Sequence, residues 1–194
     1  MRVRPPLPVS VTRHDEKEQK LREFVRHHII SAGAGSTAGH RMVMVVARSA
    51  ESPVVKALAG LSSEIQSAGY ALRIILAQLD HEALPETWER DMGGLCSDVR
   101  WARRPRLVEA HEQLVLSPTV CWIGDCMRRD PAKCDAFETY VEDCGEAAGC
   151  AAVSFERLWV VSEPVRRMAP SAPVPSLEAI ASLETSQATI GTRH

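Results

Sequence analysis

HEQLVLSPTVCWIGDCMRRDPAKCDAFETY, residues 111–140, carries most of the structural information in this chain. His111 opens a strand-like apolar run, Leu114 to Leu116, and a second run, Val120 to Ile123, ends in Gly124. A polar turn containing Asp130-Pro131 follows, and Ala136 to Tyr140 reads as a third strand. Short apolar runs bounded by turn residues are the signature of buried strands.

Upstream, apolar residues alternate between helical and strand periods. Leu21, Phe24, Val25 and His28 recur at three- and four-residue spacing, which predicts a helix over 15–30. SAGAGSTAGH (31–40) is a break of small residues, and Val43 to Ala47 is a buried strand. A single helix is expected from Glu51 to Ala68, with Val54, Val55, Leu58, Leu61 and Ile65 on one face and Gly69 as its stop. Ala71 to Leu76 is a second buried strand, 84–92 another helix, and Val99 to Trp101 a short strand. Downstream of the motif a helix is expected over 143–161. The pattern predicts an α/β fold with a mixed sheet sandwiched by helices, spanning 13–163. Residues 1–12, with three prolines among the first eight, read as a disordered lead-in. Residues 164–194 read as a Pro/Ser-rich tail with one short helix near 176–184.

The whole chain, 194 residues at 45% hydrophobic and 25% charged, suits one soluble domain with a real core. A formal net charge of −2 exerts no global pull toward nucleic acid or an anionic membrane. No apolar run approaches the roughly 20 residues that span a bilayer. The basic, proline-rich N-terminus lacks the apolar core of a secretory signal, so a reducing, cytoplasmic setting is expected. Six cysteines are then thiols rather than a disulfide framework.

The order and spacing of residues 111–140 resemble the core motif of the phospholipase D superfamily: HxKxxxxD, a strand, GSxN, a short turn and an acidic residue. VVKALAGLSSEIQSAGYALRIILAQLD (54–80) is similar to the strand-helix-strand that precedes that motif, and Phe155-Glu-Arg-Leu158-Trp159 to the helix that follows it. The resemblance covers roughly 41–163 and corresponds to one half of the usual two-motif enzyme. It implies a phospholipase D-like half in which one histidine attacks phosphorus, forming a phosphohistidine, while its counterpart protonates the leaving group. Lysines and asparagines hold the phosphoryl oxygens. Single-motif members build the site as homodimers, which implies that His111 from two protomers meet at a twofold interface.

Several positions depart from that pattern. Gln113 stands at the lysine position, Pro118 at the aspartate, and Asp125 and Met127 at the serine and asparagine that follow Gly124. Losing a charged donor at a phosphoryl oxygen costs several kcal/mol of transition-state stabilisation, by analogy with about 3–4 kcal/mol for one lost oxyanion donor. Met127 donates nothing, and a carboxylate at Asp125 repels an anionic substrate and raises the histidine's pKa. Arginines flank the motif: Arg100, Arg103, Arg104 and Arg106 before it, and Arg128, Arg129 and Lys133 after Gly124. Of these, Arg104, Arg106, Arg128 and Arg129 are the candidate phosphate contacts; the alternative is solvated loop charge balanced by Glu109, Glu112, Asp125 and Asp130.

Other clusters carry less. Cys121, Cys126, Cys134, Cys144 and Cys150 show no CxxC chelate and read as small buried hydrophobes, so no metal is expected. Arg128 and Arg129 beside Cys126 leave a redox thiolate as a lesser alternative. Gly33, Gly35 and Gly39 follow a helix and precede a strand, the reverse of a dinucleotide loop, and no cofactor is expected. His27-His28 point to different faces of a helix, and Asp80-His81-Glu82 reads as a surface loop.

Three functions stay open. The first is a catalytically degenerate, homodimeric binding or scaffold module that keeps phosphate binding. The second is a working phosphodiesterase, nuclease or phospholipase in type, using His111. The third is a nucleic-acid-binding accessory protein contacting phosphates through 100–106 and 128–133.

Overall fold

β2 (Arg41–Ala47) buries Val43, Val45, Val46 and Ala47, and β3 (Tyr70–Leu76) buries Leu72, Ile74, Ile75 and Leu76. Side chains buried on both faces of adjacent strands demand helices on both sides, and that dictates the architecture. The computed structural model describes residues 10–33, 41–79, 96–103, 111–127 and 135–165.

Among the described residues an eight-stranded mixed sheet forms the middle layer, in the order β1-β7-β6-β5-β2-β3-β4-β8. β4 is Cys96–Trp101, β5 His111–Val115, β6 Cys121–Cys126 and β7 Asp135–Val141, with β1 (Ser10–Arg13) and β8 (Glu163–Pro164) at the two edges. β2, β3 and β4 run parallel, and β5, β6, β7 and β1 follow antiparallel to their neighbours. The expected α/β sandwich with a mixed sheet is what the chain forms.

α1 (His14–Gly33), α2 (Pro53–Ala59) and α3 (Ser62–Ser67) cover one face, where Leu21, Val25, Leu58 and Ile65 pack on Val45, Leu72, Leu114 and Trp122. α4 (Gly145–Val161) covers the other through Ala148, Ala151, Phe155 and Trp159, a stripe with helical spacing. Asp143, at φ 56°, turns the chain just before α4 in a left-handed conformation that aspartate tolerates.

Three expectations differ from the structure. The single helix over 51–68 is split: Gly60 closes α2, and Leu61 (φ −111°, ψ 13°) leaves helical geometry before α3. The break lets α1 cross close by. A Cβ on Gly60 would lie 2.6 Å from an Arg22 guanidinium nitrogen. The lead-in expected through residue 12 becomes regular at Ser10, because β7 offers an open edge that Ser10–Arg13 fills from Glu138 to Asp135. At the other edge the chain stays on the sheet through Val165, whose N–H donates to the Val99 carbonyl at 2.9 Å. The helices expected over 84–92 and 176–184 lie outside the described residues.

Candidate anion-binding edge around His111

β5 runs antiparallel to β2, so its first residue, His111, sits at the edge where the parallel strands β2, β3 and β4 end. Crevices at the carboxyl ends of parallel strands are the usual ligand sites of α/β sheets. The imidazole is exposed at that edge, and its Nδ1 lies 2.9 Å from the Gly124 carbonyl. When Nδ1–H donates to this carbonyl, Nε2 is the ring nitrogen left to accept.

A bulge creates this contact. His111 pairs with Cys126 and Gln113 with Ile123, so β6 carries an extra residue opposite Glu112. Gly124 lies in the bulge, where a Cβ would run into the Trp122 indole. Glycine at the end of the second apolar run is therefore a steric requirement.

Strand pairing supplies a neighbour that linear reading misses. β2 pairs with β5 as far as Val46 and Gln113, and Arg48 follows two residues beyond that last pair, at the same edge as His111. The backbone holds Arg48 there from two sides: its N–H donates to Glu112 Oε1 at 3.2 Å, and its carbonyl accepts from Gln78 N–H at 2.6 Å. On the β6 side the register places Cys126 opposite His111. No spacing rule within the chain signals either neighbour, because both depend on which strands become neighbours.

The remaining site candidates are dispersed. Gln113 points under α4, is 7% exposed and donates through Nε2 to the Ala151 carbonyl at 3.2 Å. Met127 is 4% exposed and packs with Val46, Phe155 and Trp159. Asp125 accepts from the Phe137 N–H at 2.8 Å, where β6 and β7 separate past the Ile123–Thr139 pair. The three side chains thus serve the α4 interface, the core and the β7 edge, respectively.

The arginines before the motif are engaged within the chain. Arg100 stacks over Trp159 at 4.4 Å and donates to its carbonyl at 2.8 Å; Arg103 stacks on Trp101 at 5.3 Å and pairs with Glu163 at 3.5 Å. Arg104, Arg106, Arg128, Arg129 and Lys133 lie outside the described residues, as do Asp80, His81 and Glu82.

Behind His111, on the α1 side, Glu112 is buried with Lys17 and Glu138. Lys17 Nζ is 3.3 Å from Glu112 and 3.5 Å from Glu138, and it lies 5.0 Å from the centroid of the Trp122 ring. Tyr140 donates its hydroxyl to Glu138 at 3.1 Å, and burial pushes the phenol pKa far up. Glu112 thus ties α1, β5 and the start of the Arg48 loop together beneath the edge. Among the described residues no three His, Cys, Asp or Glu side chains converge to hold a metal. Cys121 and Cys144 are buried in one apolar cluster, and burial raises the Cys121 thiol to about 11.

No protein-family profile matches the chain, and no curated protein matches it in sequence. Among solved structures it is similar to TrmBL2, an archaeal chromatin protein whose structure is described as showing a novel mode of DNA binding. That likeness has 12% identity and a TM-score of 0.55, over 81% of this chain and 55% of TrmBL2, so this chain spans about half of that protein's length. It is also similar to NucT from Helicobacter pylori, at 9% identity and a TM-score of 0.47, over 82% of this chain and 100% of NucT. A phospholipase D family member, Nuc from Salmonella typhimurium, gives 13% identity and 0.48, over 83% of this chain and 99% of Nuc. Likeness at such identity concerns fold and not chemistry. In fold, this chain is a mixed α/β sheet between two helical layers, similar to that of TrmBL2, with a histidine at the carboxyl edge of its parallel strands.

Proposed function

We propose that this chain is a catalytically degenerate phospholipase D-like module that binds a phosphate-bearing anion at the His111 edge without efficiently cleaving it. The observation behind this reading is the fate of Gln113. At the position where the resemblance implies a phosphoryl-holding lysine, its amide is buried against α4 and already committed to the Ala151 carbonyl. Met127, at the asparagine position, is in the core. Arg48, whose backbone is tied to Glu112 next to His111, supports anion binding, since a guanidinium recognises phosphate through paired donors. In this reading two copies associate, so that the edges of both contribute to one site. The thiols Cys121 and Cys150 fit the reducing cytoplasm. No helix among the described residues is long and apolar enough to cross a membrane.

The test is hydrolysis of a chromogenic phosphodiester by wild-type protein and His111→Ala, beside phosphate binding by wild type and Arg48→Ala. Wild-type and His111→Ala rates that coincide, with phosphate binding at least about tenfold weaker in Arg48→Ala, are the expected results. Hydrolysis that vanishes with His111 would instead establish a phosphodiesterase. The Nδ1 contact to the Gly124 carbonyl favours that second reading, because it leaves Nε2 as the nitrogen for nucleophilic attack.

Nucleic-acid binding is a third reading, supported by the likeness to TrmBL2, the protein described as binding DNA. With Arg100 and Arg103 engaged within the chain, its phosphate contacts fall to Arg104, Arg106, Arg128 and Arg129. Affinity for DNA that drops steeply with salt and survives His111→Ala would mark it.

A further inference from the structure

A pocket of about 680 Å³ opens at the sheet edge opposite His111, where β2 and β3 begin and β5 ends. The four steps of β5 separate the two edges by about 13 Å. The pocket lies within the size range of small-molecule sites, about 300–1,000 Å³. Its walls are apolar: Met42 and Met44 from β2, Leu116 after β5, and Ala152 from α4.

One end is polar and held in place from within. The Tyr70 hydroxyl lies 3.3 Å from His28 Nε2, and burial favours the neutral imidazole, so the hydroxyl donates and the ring accepts. The Arg41 guanidinium sits 5.3 Å from the Tyr70 ring centroid and donates to the carbonyls of Ala32 at 3.3 Å and Ala68 at 3.4 Å. These partners are uncharged. Among the described residues no carboxylate pairs with Arg41, and SAGAGSTAGH (31–40), the adjoining segment, contains none. Among the described residues this partly buried guanidinium faces only the partial negative charge of two helix C-terminal ends and no full counter-charge. Two of its five N–H donors are used, which leaves others for an oxyanion.

We infer that this pocket binds a small amphipathic monoanion: a carboxylate on an aliphatic body, with the head at Arg41 and the chain along Met42, Met44, Leu116 and Ala152. The single fixed charge matches one negative charge, since His28 beside it is neutral. The site is separate from the His111 edge, and its existence does not depend on what that edge does.

The test is calorimetric titration of the full chain with octanoate and with octanol, its uncharged counterpart. Octanoate is expected to bind at least about tenfold tighter than octanol. Arg41→Gln should abolish that preference and leave octanol binding unchanged, whereas Arg41→Lys should keep the preference. Ala152→Leu, which fills the wall, should weaken both ligands at least about tenfold, and His111→Ala should change neither. The inference is overturned if octanoate binds no tighter than octanol, or if octanoate binding survives both Arg41→Gln and Ala152→Leu. Octanoate binding lost in His111→Ala would also overturn it, since the ligand would then sit at the other edge. Thermal melts of each variant separate lost binding from lost folding, and Arg41→Lys carries the charge test if Arg41→Gln does not fold.

Discussion

Gly124 shows how one residue sets the geometry of the edge. Its carbonyl fixes the His111 ring, and the adjacent bulge turns that carbonyl toward the ring. Adding a methyl group there forces the Trp122 indole, which is fully buried, to move. Overpacking of this kind costs about 1–3 kcal/mol. Gly124→Ala is therefore expected to lower the thermal midpoint by several degrees, read by circular dichroism, and to shift the His111 imidazole resonances in NMR. A melt indistinguishable from wild type would mean that Trp122 does not crowd this position. The residues around Gly124 also show that one side chain has one environment: Gln113, Asp125 and Met127 face α4, β7 and the core, respectively.

At the scale of elements, β5 explains why a histidine and a buried carboxylate stand side by side. A strand alternates its faces, so Gln113 turns toward α4 while Glu112 turns toward α1 and meets Lys17. Lys17 lies between two carboxylates that are almost fully buried, and removing it takes away an ion pair from each of them. Breaking such a buried group by deleting one partner costs about 3–5 kcal/mol. Lys17→Met is expected to lose that much stability in urea denaturation, although it preserves the apolar stem over Trp122. A loss below about 1 kcal/mol would show that the carboxylates find other partners. Lys17 lies on the first turns of α1, just after β1, so this contact also anchors the segment that completes the β7 edge.

For the whole molecule, the two edges of the sheet have different electrostatics. His28 docks α1 at the edge opposite His111, between Tyr70 and the Leu116 backbone, and burial lowers its pKa below 6.5. The folded state thus prefers the neutral ring. Its contribution to stability is fully present above pH 6.5 and is lost as pH falls toward the lowered folded value. His28→Asn should flatten the pH dependence of unfolding between about pH 7 and 5, measured by urea midpoints across that range; an unchanged profile would place the dependence elsewhere. Apolar periodicity by itself determined the alternation of strands and helices, the mixed sheet and the strands on either side of Gly124, because burial of a face imposes a local repeat that can be read in line. Sequence also placed His111 at the start of its strand. Tertiary structure alone decided that Cys126 lies opposite it, that the Arg48 backbone is tied to the neighbouring Glu112, that Gln113 is enclosed by α4, and that Ser10–Arg13 joins the sheet. It also decided that a helix expected to be continuous breaks at Leu61 where α1 crosses. These outcomes depend on which strands become neighbours and which helix covers them, and the free energy of those contacts belongs to residues far apart in the chain.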